Sequence, residues 1–231
     1  MPLTLSSAAL ALMLSAYAHS APGASESPAP ASAMDKALYM AVAAIDIDAA
    51  RRALAGGARV NSLIAPWGDT ALMMAAEKSA AMVTWLIEQD AEVNLQNRRG
   101  QTALMIAAYA GNVEAVTALL GRGADARIEN EWGDTALTQA VFRGDHAIVT
   151  QLIKHGADPT HANGRSETPR QLAKRMVDLV EAMDDSNDHA HRHAHDDKDH
   201  VVTDKRTALR DRRKIVALLA HDAEPGQRIG R

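Results

Sequence analysis

The chain has 231 residues and no cysteine; 47% of its residues are hydrophobic, only 3% are aromatic, and the formal net charge is −4. Alanine and leucine therefore supply most of the apolar content, which favours closely packed helices over a β-sandwich built from Val, Ile, Tyr and Phe. The missing cysteines exclude a disulfide framework, a thiol nucleophile and a Cys-ligated zinc site, and the mildly acidic balance offers no electrostatic footprint for nucleic acid.

In chain order, Leu3 to Ala18 is an uncharged, apolar stretch ending in Ala16-Tyr17-Ala18, the A-x-A pattern that signal peptidases cut after. It is too short to span a bilayer. The expectation is a signal peptide over 1–18, although no Lys or Arg precedes the apolar run, and then an Ala/Pro/Ser-rich disordered linker over 19–34. Export, to a bacterial periplasm or the medium, fits the lack of any N-x-S/T acceptor. The competing expectation is an intracellular protein with a misleading N-terminus.

Beyond residue 34 the chain repeats itself. Thr70-Ala71-Leu72-Met73-Met74-Ala75 returns as Thr102-Ala103-Leu104-Met105-Ile106-Ala107 and as Thr135-Ala136-Leu137-Thr138-Gln139-Ala140, and more loosely from Thr168. The steps between these threonines are 32, 33 and 33 residues. Gly57-Ala58, Asp90-Ala91, Gly123-Ala124 and Gly156-Ala157 keep their own step of 33. Each follows apolar residues at i, i+3 and i+4, for example Val116, Leu119 and Leu120, which is one buried helical face. Gly68, Gly100 and Gly133 stand two places before the threonines, where a tight turn needs positive φ, and each threonine is placed to cap a helix.

A 33-residue period with T-x-L-x-x-A and a closing L-L-x-x-G-A resembles the ankyrin repeat. The resemblance implies an all-α solenoid of about five helix-turn-helix units with β-hairpin-like turns, covering residues 35–224. The units fall at about 35–64, 65–97, 98–130, 131–163 and 164–224. The second unit is one residue short between Ala76 and Met82. The family's histidine after T-P-L is replaced by Met73, Met105, Thr138 and Gln171, with methionine expected to supply packing in place of a hydrogen bond.

The fifth unit is interrupted. Its second-helix pattern, Ile215 to Ala223, comes about 33 residues late, so an insertion is expected over about 178–210, with the preceding helix prolonged to about Met183. Within it His189, His191, His193, His195 and His200 alternate among aspartates. Imidazole and carboxylate suit zinc, nickel or copper, so this segment is the candidate metal site and supports a second reading, a metal-binding or metal-responsive protein. The plainer expectation is a solvated polar insertion with no cofactor.

The resemblance further implies that a partner protein lies along the concave face made by hairpin tips and first helices. The register places Trp67, Arg98, Arg99 and Trp132 at the tips, and Tyr109, Phe142 and Arg143 near the ends of first helices. Trp, Tyr and Arg dominate interface energetics, which makes these seven the candidate binding residues. The alternative for Trp67 and Trp132 is packing on neighbouring hairpins. Trp85 reads as core, and His146, His155 and His161 as ordinary exposed residues. Gly121-Arg122-Gly123 ends a helix and so is no dinucleotide fingerprint; there is no G-x-S-x-G, H-E-x-x-H or Walker loop. The reading is a non-enzymatic, monomeric protein-binding module, without nucleic acid and without membrane insertion once the signal is removed.

Overall fold

The computed structural model of the protein describes residues 31–187 and 198–221. The expected signal peptide, most of the expected linker and His189, His191, His193 and His195 lie outside the described residues. Ten helices follow one another in the described residues: α1 (Ala33–Ala43), α2 (Ile47–Ala55), α3 (Ala71–Lys78), α4 (Ala80–Glu88), α5 (Ala103–Ala110), α6 (Val113–Gly121), α7 (Ala136–Arg143), α8 (His146–Lys154), α9 (Pro169–Asn187) and α10 (Lys198–His221). They form five helix pairs. The first helices α1, α3, α5, α7 and α9 stack in one layer, and α4, α6, α8 and α10 stack in the other.

The threonine signature works as a cap. The hydroxyls of Thr70, Thr102 and Thr135 accept the backbone N–H of Met73, Met105 and Thr138, meeting one of the amides that a helix start leaves unpaired. At the starts of α3, α7 and α9 the side chain three residues on reaches back to the cap's own N–H. In α7 it is the Thr138 hydroxyl and in α9 the Gln171 carbonyl oxygen, at 2.8 Å. In α3 the thioether of Met73 takes that place, 3.5 Å from the Thr70 nitrogen. Methionine thus packs, as expected, since Met73 and Met105 are both buried, and Met73 also keeps a weak version of the reciprocal bond.

Two positions after each threonine a leucine is buried: Leu72, Leu104 and Leu137. Ala75, Ala107 and Ala140 follow at the next turn, small enough to let neighbouring first helices approach. Truncating Leu104 to Ala would cost about 2–5 kcal/mol, because a repeat interface cannot collapse into the space left. First helices α5 and α7 end at Gly111 and Gly144 in the left-handed region. The second unit has lost this glycine. Ser79 alone joins α3 to α4, closing one helix and capping the next through its hydroxyl, so the deletion removes one linker residue and leaves both helices intact.

Both ends of the array adapt. At the N-terminus the expected linker ends earlier than residue 34, because Ser32 and Asp35 form a reciprocal capping box that starts α1. Asp35 is buried and ties the first unit together. It accepts from the Arg59 guanidinium at 2.7 Å, the Arg59 backbone N–H at 2.7 Å and the Ser62 hydroxyl at 3.0 Å. Burial pushes its carboxyl pKa up, but the Arg59 guanidinium and the surrounding donors outweigh that and hold it well below the usual carboxylate range.

At the other end the insertion expected over about 178–210 carries more helix than the expected prolongation to about Met183. Helix α9 continues to Asn187, not Met183, and α10 already begins at Lys198. Most of the insertion is therefore a prolonged helical pair whose members pack on each other. The reason is legible along α10. Ile215 and Leu219 bury the repeat-like face, and just before them Arg213 bridges the two helices, donating to Glu181 at 2.6 Å.

A candidate protein-binding face

Each hairpin tip is hydrogen-bonded to the one before it. The Arg98 amide donates to the Trp67 carbonyl, Glu131 to Arg99 and Gly164 to Trp132, at 2.9, 2.9 and 2.8 Å. This ladder sets Trp67, Arg99, Trp132 and Arg165 in file, alternating indole and guanidinium. The turn before each helix is held by an asparagine. The Asn130 side-chain oxygen accepts from the amides of Trp132 and Asp134, both at 2.9 Å. Gly133, at φ +71°, sits so close to the next hairpin that a Cβ there would lie 2.7 Å from the Gly164 nitrogen.

The large side chains expected at the surface are exposed there: Trp67 49%, Tyr109 55%, Trp132 49% and Phe142 46%. Trp85 is buried in the second-helix layer, as expected. The rings of Tyr109 and Phe142, from successive first helices, stack with centroids 6.2 Å apart and 18° between their planes. The Arg99 guanidinium lies 3.7 Å above the Trp67 ring, so Trp67 both supports the neighbouring hairpin and keeps half its surface exposed. Tyr109, Trp132 and Phe142 line one groove of about 390 Å³ with Arg165, Arg175, Asp134 and Glu167.

Four of the seven candidates do not line this groove: Trp67 and Arg99 stack on each other at earlier tips, and Arg98 and Arg143 stand apart from both. Arg98 folds back on the preceding turn, its guanidinium donating to the Pro66 carbonyl at 2.8 Å. Arg143 lies over Gly111, at the far end of the first helices, and borders a separate depression with Asp145 and Asp211. Arg165 shared the tip register with Trp132, but Arg175 is a groove residue that periodicity does not mark. It enters because Glu167 holds it, at 2.7 and 3.0 Å.

The histidines divide. His155 is exposed, whereas the expectation of exposure fails for His146, which is half-buried at the start of α8, and for His161. His161 is half-buried, with Nε2 3.2 Å from the Gly133 carbonyl, because the tips stack closely enough to cover it. His200 lies on α10, and the other four candidate ligands lie outside the described residues. Among the described residues no cluster of His, Asp or Glu is arranged to hold a metal ion. No described helix is long and apolar enough to cross a membrane.

No curated protein matches the chain. The family model of ankyrin repeats (3 copies) matches residues 38–130, 75–163 and 104–188, together most of the chain. Such repeats generally serve as protein–protein interaction modules and are typically not enzymes. With its 33-residue period, capped helix pairs and hydrogen-bonded tips, the chain belongs to the ankyrin-repeat family.

Proposed function

We propose that this array is a non-enzymatic binding module that holds a partner protein along the face made by its hairpin tips and first helices, and that it works as a monomer after export to the periplasm or medium. The observation that carries the reading is the placing of the large apolar side chains. In a chain with 3% aromatic residues, Trp67, Tyr109, Trp132 and Phe142 are all exposed, and all on this one face. Large aromatic side chains gathered on one face, unlike single exposed ones, mark a contact surface. The partner-contacting set is Trp67, Arg99, Tyr109, Trp132 and Phe142, with Arg98 and Arg143 at its margins.

The test is affinity capture from the protein's own extract, with the mature wild type beside Trp67→Ala/Trp132→Ala. A protein retained by the wild type and lost by the variant supports the reading. Equal retention by both refutes it. Export is checked by N-terminal sequencing of the protein recovered outside the cytoplasm, which should begin after Ala18.

A further inference from the structure

Resting on that reading, we infer that the occupant of the groove is an acidic segment carrying an aromatic or large aliphatic anchor. The charges in and beside the groove favour this occupant. Of the two carboxylates that line it, Glu167 takes both arms of Arg175, and Asp134, which accepts the neutral Asn163 amide at 2.9 Å, is the only one without a cation among the described residues. The guanidinium of Arg165 lines the same groove, and it forms no ion pair among the described residues. One pair of tips earlier, Arg99 is held over Trp67 by its ring and not by a carboxylate. Two arginines in file, set by the tip ladder and lacking acidic partners, are oriented donors for carboxylates. Glu131 does not line the groove and forms no ion pair with either arginine among the described residues.

Beside Arg165 the groove's lining is aromatic. The stacked Tyr109 and Phe142 rings and the half-exposed Trp132 indole present flat apolar surface beside the guanidinium of Arg165. A bound side chain that covers these rings removes water from the adjacent charge, which strengthens a carboxylate contact there. A basic segment would meet both Arg99 and Arg165, would find only Asp134 free of a cation, and would have to displace Arg175 to reach Glu167.

The test selects a displayed library of random peptides on the full-length protein, with Tyr109→Ala/Phe142→Ala as the counter-selection. Selected peptides should be enriched in Asp and Glu together with Phe, Tyr, Trp or Leu. Their binding should weaken about tenfold in Arg99→Gln/Arg165→Gln, whose melting curve shows that it folds, and should weaken again as salt is raised. Enrichment of Lys and Arg, no charge preference, no enrichment at all, or affinity unchanged in the arginine variant would overturn the inference. If the tryptophan variant still loses its captured partner in that event, the binding-module reading stands and only the partner's chemistry is refuted.

Discussion

The amide nitrogen of Asn130 is buried and has no hydrogen-bond partner, and the repeat itself shows why. In the neighbouring interfaces the equivalent asparagines donate backwards to an aspartate of the preceding unit: Asn97 to Asp69 at 2.7 Å and Asn163 to Asp134 at 2.9 Å. The matching residue for Asn130 is Gln101, whose side-chain oxygen instead accepts from Asn97 of its own hairpin at 3.3 Å. Gln101→Asp should complete the missing bond. An unmet buried donor costs about 1–3 kcal/mol, and the Gln101 contact given up is long and leaves Asn97 its Asp69 partner. The net gain is therefore about 1 kcal/mol, or about 2–4 °C in melting temperature for an array of this length. Urea and thermal denaturation followed by far-ultraviolet circular dichroism measure it. The reverse change, Asp134→Gln, leaves Asn163 unpaired and should cost about the same. If Gln101→Asp is neutral or destabilising while Asp134→Gln is silent, the asparagine–aspartate bond does not couple the units and the reasoning fails.

Other outcomes follow from the same geometry. Gly133→Ala should cost about 2–4 kcal/mol in the same denaturation assay, since it combines a strained φ with a clash against the Gly164 backbone. Asp35→Asn should destabilise the protein at neutral pH by removing the buried partner of Arg59. Because the folded carboxyl is held below its unfolded value, its stabilisation is full above about pH 4 and fades as pH falls below that. Wild type and variant should therefore converge in acid, as measured by urea midpoints across pH. Arg212→Ala should loosen the last unit. It removes the guanidinium that donates to the carbonyls of Phe142 and Arg143 at the end of α7, at 3.2 and 3.3 Å, and hydrogen exchange in α7 and α10 should rise.

The solenoid was legible because its period carries stereochemistry. The same Thr, Leu and Gly positions recur since each unit must cap a helix, bury one face and turn at positive φ. Exposure of Trp67, Tyr109, Trp132 and Phe142 followed from that register. Two kinds of feature did not. The early start of α10 escaped, although the prolongation of α9 was expected, because the pair is held partly by a charged bridge, Arg213–Glu181, which leaves no apolar period to count. The division among the arginines escaped because Arg98, Arg99 and Arg143 look alike in sequence and differ only in what lies within reach: a carbonyl, a ring, or a neighbouring glycine.

The most direct test of the central claim is site-specific photocrosslinking in the native host. A photoreactive benzoylphenylalanine in place of Phe142 faces the groove, and one in place of Glu114 stands exposed on the second-helix layer. Irradiation should join the groove probe to one defined protein, and the α6 probe should give no such product. Adducts from the α6 probe alone, or the same adducts from both, would contradict the claim.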